Sequence, residues 1–278
     1  MAAVLDCGAF ALALDRPRVM GILNVTADSF SDGGRFLAEA RAVGHGLALA
    51  SDGADLVDVG GESTRPGAEP VPLEVELSRV LPVVRALARE GVAVSVDTMK
   101  PEVMRQAIDA GCAMVNDVNG FRADGAVAVA AASRVGLCAM HMRGTPATMQ
   151  SDPHYGDVVG EVGGFLLERA RALEAAGVAR GRIAIDPGFG FGKAFAHNAA
   201  LLAGLDRLAA LGYPVVAGLS RKRMIGEITG RPVGDRVAGS IAAALLAVQN
   251  GAQIVRVHDV KETVDALKVW GALRGTRQ

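Results

Sequence analysis

Polar side chains recur where apolar, strand-like segments of this sequence end. Asp97, Asp186 and Arg256 each interrupt or close a run of Val, Ile or Ala, and a strand needs none of them for its own structure. Any single residue of this kind is more readily explained as a loop residue that caps the next helix. The full set is Asn24, the Glu62–Arg65 turn, Asp97, Asn116, Asp117, His141, Asp186, Ser220–Lys222, Arg256 and His258. Because so many coincide with strand ends, the pattern predicts one site built from several strands.

The segment Arg182–Lys193 runs from an apolar strand through Asp186 into a series of glycines. It does not fit a phosphate-binding loop, because Pro187 stands where the first glycine is needed and Ala194 where a Ser or Thr is needed. The dinucleotide-binding pattern also fails, since its third glycine would fall on Lys193. A carboxylate here would repel a phosphate. We therefore expect Asp186 to accept hydrogen bonds from N–H groups.

Arg256 and His258 lie two positions apart on a valine-rich strand, so they point to the same side of it. Burying both without an anionic partner would be costly. A phosphate or carboxylate group of a ligand is one expected partner. An internal salt bridge to Asp97 or Asp186 is the alternative, and the sequence leaves both open.

The loops after the first two predicted strands have the composition of lids. The first, residues 26–36, carries two acids, three hydroxyls and adjacent glycines. Asn24 at its base offers an amide oxygen to a hard cation such as Mg²⁺, which keeps several waters and binds few protein oxygens. The second loop, residues 60–71, contains the turn sequence Arg65–Gly67. A plain surface loop is the alternative for the second.

Parallel strands would bring these strand ends together. After a short opening that predicts a two-stranded flap (Val4–Asp15), apolar β-rich runs alternate with Ala/Leu-rich amphipathic runs. The predicted strands are Val19–Val25, Leu56–Gly60, Val92–Asp97, Met114–Val118, Leu137–Met142, Ile183–Asp186, Pro214–Leu219 and Ile254–His258. The predicted helices include Leu37–Asp52, Leu73–Glu90, Pro101–Ala110, Val158–Ala176, Asn198–Leu211, Val237–Asn250 and Lys261–Gly271.

Eight strands that alternate with helices favour a closed (β/α)8 TIM barrel over an open doubly wound sheet. In such a barrel the C-terminal strand ends converge on one face, where active sites are found. Pro101 and Asn198 are expected to mark helix starts, as a first-turn proline and an N-cap. No linker interrupts the alternation, so we expect one domain over residues 1–278.

The composition excludes several classes of protein. Half of the residues are hydrophobic and 21% are charged, which is typical of a chain with a large core rather than a disordered one. A net charge of −1 offers no general attraction to nucleic acid or to membranes. Three cysteines without paired or metal-type spacing indicate a reducing compartment. We expect a cytoplasmic protein that binds neither nucleic acid nor membrane.

Taken together, these residues resemble the dihydropteroate synthase family, and the resemblance covers essentially the whole chain in order. The matching stretches are Val19–Gly34, Asp58–Gly67, Ser95–Thr98, Val115–Gly120, Met140–Gln150, Ile185–Lys193, Gly218–Gly226 and Arg256–Val260. Ala27 and Ala147 depart from the family pattern, which usually has a proline and a basic residue there. Both positions lie in loops.

The resemblance implies a TIM barrel that joins 6-hydroxymethyl-7,8-dihydropterin pyrophosphate to 4-aminobenzoate, giving 7,8-dihydropteroate and pyrophosphate. The implied catalytic residues are Asn24, Asp97, Asp186, Lys222, Arg256 and His258. The pterin is expected on Asp97, Asn116, Asp186 and Lys222, with Met140, Gly190 and Phe191 around the ring. Pyrophosphate and Mg²⁺ are expected near Asn24, Arg256 and His258, with Asn24 as the metal ligand. The aminobenzoate is expected near Phe30, Thr64, Arg65, Pro66 and Ser220.

The implied mechanism is dissociative, with pyrophosphate leaving before the aryl amine attacks and with both lids excluding water. The glycines after Asp186 are interpreted as clearance for a flat ring, and Lys193 as a surface charge. A homodimer is expected from family habit and the apolar later helices. Two alternatives stay open: a pterin-binding methyltransferase domain, disfavoured by the lid Asp28–Gly34 and the Ser63–Gly67 turn, and a non-catalytic paralogue.

Overall fold

The computed structural model describes residues 3–26, 34–65, 67–151 and 153–274. The strands in these ranges are β1 (Val4–Cys7), β2 (Phe10–Ala13), β3 (Arg18–Asn24), β4 (Leu56–Gly60), β5 (Val94–Asp97), β6 (Met114–Asp117), β7 (Gly136–Met140), β8 (Ile183–Asp186), β9 (Val216–Ala217) and β10 (Ile254–Val257). The helices are α1 (Gly34–Ser51), α2 (Leu73–Arg89), α3 (Pro101–Asp109), α4 (Ala126–Ala132), α5 (Val158–Ala175), α6 (Phe195–Ala203), α7 (Leu205–Ala209), α8 (Arg223–Thr229), α9 (Val237–Gln249) and α10 (Val260–Arg274).

Strands β3 to β10 form a parallel barrel, which confirms the predicted fold class. Hydrogen-bonded neighbours follow the order β8-β7-β6-β5-β4-β3-β10-β9. The barrel closes between its end strands, where Ile185 pairs with Val215 and its N–H donates to the carbonyl of Pro214 at 2.9 Å. The helices cover the outside, where strand valines join Val80 and Val84 of α2 in one buried apolar cluster.

The lower half of the barrel interior is apolar and is closed by the β1–β2 hairpin. Its side chains alternate with the outward ones along each strand, as the pleat requires. Leu5 and Cys7 of the hairpin pack onto this layer. The layer consists of Met20, Leu56, Met114, Cys138, Ala184, Val216 and Ile254. The hairpin confirms the predicted flap and gives it a structural purpose, since it seals one end of the barrel.

The helix prediction needs two corrections. The segment predicted as one helix over Asn198–Leu211 is two helices, α6 and α7, which meet at Gly204. Asn198 is not the N-cap, because α6 begins at Phe195 with Ala194 before it. The Asn198 side chain is buried and bonds backbone groups of the preceding loop. Helices α4 and α8 are not among the predicted stretches.

Cys7, Cys112 and Cys138 are all buried free thiols. Burial raises the pKa of Cys7 and of Cys112 to about 12. In the described part of the chain, no helix has the length and apolar character needed to cross a membrane.

Candidate active site

Several of the predicted polar residues meet at the C-terminal mouth of the barrel, whereas Asp117 accepts from the backbone N–H groups of Asn119 and Phe121 in the loop that follows. Strand register places Asn24 beside Gly60, Gly60 beside Asp97, and Asp97 beside Asn116. Asp58 lies two positions beyond Leu56 on β4, and Arg256 two positions beyond Ile254 on β10, so both point into the barrel like the apolar layer beneath them. The interior therefore changes from apolar to polar within two residues of strand.

Arg256 forms an ion-pair cluster with two carboxylates. Its Nε donates to Asp58 Oδ2 at 2.6 Å, and its Nη2 donates to Asp97 Oδ2 at 2.8 Å. Asn116 Nδ2 donates to the same Asp58 oxygen at 3.1 Å. The internal salt bridge to Asp97, one of the two alternatives for Arg256, is therefore present. The additional partner, Asp58, was not predicted as a site residue.

The cluster shifts the titration of its members. Burial raises the pKa of Asp97 to about 7; Arg256 opposes this shift, and the neighbouring carboxylate of Asp58 adds to it. Burial also acts to lower the pKa of Arg256, but Asp58 and Asp97 outweigh it and raise that pKa above its usual value. Arg256 therefore keeps its charge, while Asp97 is the member that can take up a proton near neutral pH.

Four buried polar atoms at this mouth have no hydrogen-bond partner within the described structure. They are Asp58 Oδ1, Ser95 Oγ, Asp97 Oδ1 and Asn116 Oδ1. An unsatisfied buried polar group costs about 1–3 kcal/mol, so four together oppose folding substantially. The carboxylate oxygens can only accept hydrogen bonds when ionised. The arrangement therefore suits a ligand that presents several N–H donors.

Asp186 and Lys222 form the opposite side of the mouth. Gly188 N donates to Asp186 Oδ1 at 2.7 Å. Lys222 Nζ donates to the carbonyl of Phe189 and lies 4.7 Å from the centre of the Phe191 ring. Burial raises the pKa of Asp186, against the effect of Lys222, and burial lowers the pKa of Lys222 to about 8.

The glycines after Asp186 make room for neighbouring parts of the chain itself. Gly188, Gly190 and Gly192 have φ values of +65°, +82° and +66°. A Cβ at Gly188 would collide with the carbonyl oxygen of His141, and one at Gly192 would lie 2.7 Å from that of Arg143. A Cβ at Gly190 would touch the Lys222 side chain at 3.4 Å. Backbone packing thus requires the glycines at 188 and 192.

The apolar wall of the mouth is rich in methionine. Met140, which pairs with Asp186 in the sheet, packs in one cluster with Val118, Met142 and Met149, and Phe191 lies against this cluster. Methionine side chains are flexible and polarizable, so they adapt to the shape of a ligand. Met140 and Phe191 therefore form an apolar surface beside Asp186.

His258 and Ser220 lie at the ends of adjacent segments of the barrel. Ser220 Oγ is 3.0 Å from His258 Nδ1 and accepts from the His258 backbone N–H at 3.2 Å. Burial and the nearby Arg256 lower the pKa of His258 to about 4. The imidazole is therefore neutral near pH 7 and offers a hydrogen bond rather than a positive charge.

The base of the second loop is held by charged side chains. Lys100 forms ion pairs with Glu62 and with the buried Glu76, and Arg79 Nη1 donates to the carbonyl of Gly61 at 2.9 Å. Thr64 is half-buried and Arg65 is exposed.

Two predicted site residues, Phe30 and Pro66, lie outside the described residues, as does the lid segment at 27–33.

Asn24 is the last residue of β3, next to Gly60 of β4. A Cβ built on Gly60 would lie 3.9 Å from Asn24 Oδ1 and also 3.9 Å from Asp97 Oδ2, so these two oxygens lie on either side of Gly60. Among the described residues, no group of three or more His, Cys, Asp or Glu side chains could hold a metal ion.

Lys193 corrects the sequence interpretation, which made it a surface charge. The side chain is buried, and its Nζ contacts His141 Nδ1 and the carbonyls of Gly188 and Phe191. The sequence prediction assigns no role to Asp58 or Ser95 either. The available signal was strand parity, because Asp58 shares a side with Gly60, and Gly60 pairs with Asp97.

Comparison with known proteins agrees with this geometry. A sequence model of the family described as pterin binding enzyme matches residues 20–258. The chain is 48% identical to the dihydropteroate synthase of Escherichia coli K12 over 268 residues, which is 96% of this chain and 95% of that protein.

Two solved structures are similar over nearly their full length. The Xanthomonas albilineans dihydropteroate synthase with 4-aminobenzoic acid has a TM-score of 0.93 and 57% identity, covering 99% of this chain and 100% of that one. The Yersinia pestis enzyme in a sulfonamide drug complex has a TM-score of 0.93 and 46% identity, covering 98% and 100%. The chain therefore belongs to the dihydropteroate synthase family of pterin-binding transferases.

Proposed function

We propose that this protein condenses 6-hydroxymethyl-7,8-dihydropterin pyrophosphate with 4-aminobenzoate, releasing pyrophosphate and forming 7,8-dihydropteroate. The observation that carries the proposal is the set of four unpartnered acceptor atoms on Asp58, Ser95, Asp97 and Asn116 within the described structure. A reduced 2-amino-4-oxo pterin is flat and presents several N–H donors. These donors could form hydrogen bonds with the four unpartnered atoms.

In this proposal the pterin lies between two carboxylates. Asp186 accepts the ring amide N–H and the exocyclic amine as a charge-assisted pair. Asp97 and Asn116 bind another edge of the ring, and Lys222 donates to a ring acceptor. Met140, Gly190 and Phe191 enclose the faces of the ring.

The leaving pyrophosphate is assigned to Arg256 and His258. A proton on Asp97 removes one of the two carboxylate charges paired with Arg256, so the mouth becomes more positive where negative charge develops. His258, neutral in the free protein, donates a hydrogen bond. The bond that breaks joins the pterin methylene carbon to a pyrophosphate oxygen. The bond that forms joins that carbon to the aryl amine nitrogen, which then loses a proton.

We propose Asn24 as a ligand for Mg²⁺. A single amide oxygen fits a hard cation that keeps several waters and takes further oxygens from substrate phosphates. When bound, the ion would neutralise charge on the pyrophosphate. Asn24→Ala is expected to raise the Mg²⁺ concentration needed for half-maximal activity, and an unchanged requirement would remove Asn24 from this role.

The 4-aminobenzoate site is assigned to Thr64, Arg65 and Ser220, with Phe30 and Pro66 also proposed. Arg65 supplies a guanidinium suited to the carboxylate of this substrate. Sulfonamides are expected to compete with 4-aminobenzoate. Inhibition that did not weaken as 4-aminobenzoate was raised would contradict the shared site.

The direct test mixes purified protein with both substrates and Mg²⁺ and measures pyrophosphate release and 7,8-dihydropteroate. We expect both products, and no 7,8-dihydropteroate when 4-aminobenzoate is left out or Mg²⁺ is chelated. Asp265→Asn, an exposed substitution on α10, is the matched control and should keep full activity. Absence of pyrophosphate release with both substrates present would overturn the proposal.

Three further assignments are proposals. Residues 1–278 form one domain. The protein works in the cytoplasm, which the three buried free thiols support. It is a homodimer, supported by exposed apolar side chains on the later helices: Ile228, Leu246, Val269 and Leu273. Light scattering at several concentrations tests the dimer, and a constant monomer mass would contradict it.

A further inference from the structure

Lys193 has a complete set of acceptors although it lies almost entirely out of contact with solvent. The residue is only 3% exposed. Its Nζ lies 2.8 Å from His141 Nδ1, 3.0 Å from the carbonyl oxygen of Gly188 and 3.0 Å from that of Phe191. The carbonyl oxygen of His141 lies further away, at 3.5 Å, so the nitrogen has a polar partner for every N–H it can carry.

The contact with Lys193 bears on the protonation of His141. Burial, with the nearby Lys193 charge, lowers the pKa of His141 to about 3. The ring is therefore neutral, and its Nδ1 can accept from Lys193 in the tautomer that carries the proton on Nε2. The His141 ring is itself held edge-on to Phe165, with 4.9 Å between centroids.

Residues 187–193, the glycine loop, are tied down at several backbone groups. Tyr155 donates to the carbonyl of Gly192, and Gln150 to that of Gly190. Asn198 accepts from the Gly190 N–H. A segment with three glycines loses much conformational freedom when it is fixed in one shape. The ties therefore oppose a strong tendency of this segment to be mobile.

The glycine loop supports both charged groups on its side of the mouth. Gly188 N donates to Asp186, and the carbonyl of Phe189 accepts from Lys222. Lys193 holds the carbonyls of Gly188 and Phe191, which flank Phe189 on either side. Its ammonium is thus placed to fix the part of the loop that orients Asp186 and Lys222.

We propose that Lys193 and His141 act as a positioning pair that holds the glycine loop in the shape that binds the pterin. The inference rests on the proposed function. Burial lowers the pKa of Lys193 well below its usual value, so placing an amine here opposes folding. A methionine would fill the same space without that desolvation cost, although His141 Nδ1 and the Phe191 carbonyl would lose this donor. A role in shaping the site accounts for the amine.

The test compares Lys193→Met with Lys268→Met, an exposed lysine on α10. Calorimetry gives the Kd for 6-hydroxymethyl-7,8-dihydropterin pyrophosphate, and steady-state kinetics give the KM for 4-aminobenzoate. If the loop keeps its binding shape only about a tenth of the time, the Kd rises about tenfold. We expect that rise for Lys193→Met alone, with the KM for 4-aminobenzoate unchanged. A lower Tm with an unchanged Kd would show a purely structural role and overturn the inference.

A second pair of variants decides the matter if Lys193→Met does not fold. His141→Asn keeps an acceptor near the position of Nδ1, whereas His141→Phe keeps a ring without one. We expect His141→Asn to bind the pterin substrate like wild type and His141→Phe to bind it weakly. Equal affinities of these two variants for the pterin substrate would contradict the proposed positioning role of Lys193 and His141. Wild-type protein that bound no pterin substrate would instead overturn the proposed function.

Discussion

The lower and upper halves of the barrel interior use the same strands and have opposite chemistry. Leu56 and Asp58 are two positions apart on β4, and Ile254 and Arg256 are two positions apart on β10. Below, the apolar side chains pack against one another and the hairpin. Above, four polar atoms find no partner among the described residues. Stability is supplied at one end, and the other end is left for a ligand to complete.

The largest expected effect is on the lower half. Leu56→Ala should lower the free energy of unfolding by about 2–5 kcal/mol, because it leaves a cavity in a fully packed layer. At a temperature where the variant is folded, kcat/KM should match wild type. Urea unfolding and the condensation assay measure the two quantities. A fall in kcat/KM without a loss of stability would contradict the assignment of stability to the lower half and of substrate binding to the upper half.

The upper half should respond in the opposite way to Asp186→Asn. Losing a charge-assisted bond to the pterin should weaken binding by about 1.5–3 kcal/mol, or roughly 10- to 150-fold. The free energy of unfolding should not fall, because burial raises the pKa of Asp186 and the ionised carboxylate is unfavourable for the fold. Calorimetry with the pterin substrate, beside the Asp265→Asn control, measures the change. An unchanged affinity would contradict the assignment.

Asp97 should make stability depend on pH. Its folded pKa is raised to about 7 from an ordinary value of 3.8, so the folded state holds an extra proton between these values. The stability from this proton is complete below pH 3.8 and is lost as pH rises through about 7. Asp97→Asn should remove this part of the slope while weakening pterin binding. Urea midpoints from about pH 4 to about pH 8 test it, and an identical slope would contradict it.

Ser95→Ala should have the smallest effect. The hydroxyl has no partner among the described residues, so its removal should leave the free energy of unfolding unchanged or slightly higher. If the hydroxyl bonds the bound ligand, affinity should fall by about 1 kcal/mol, or roughly fivefold. Calorimetry measures the change in affinity, and urea unfolding of the same preparation measures the change in stability. A loss of stability would show that Ser95 belongs with the lower half.

The sequence predicted the barrel because its strands are apolar on both sides and alternate with amphipathic helices. It predicted Asp97, Asn116, Asp186 and Arg256 at one mouth because each lies at or near a strand end, where the topology brings residues together. Lys193 was misplaced because its acceptors are backbone carbonyls and a histidine 52 positions away, which no local pattern reveals.

Asp58 shows a different limit of sequence patterns. It stands in the middle of a strand rather than at its end, so its polar side chain was not recognised as part of the site. Helices α4 and α8 have seven residues each, and short segments carry little periodicity.

The three buried thiols make the opening of this barrel measurable. Cys7 and Cys138 belong to the sealed lower half, and Cys112 lies in the outer layer of the core. With their pKa values raised by burial, these groups react slowly with alkylating reagents while the chain is closed. The alkylation rate of each cysteine therefore reports how often its part of the barrel opens, so the native chain reports its own local unfolding without an added label.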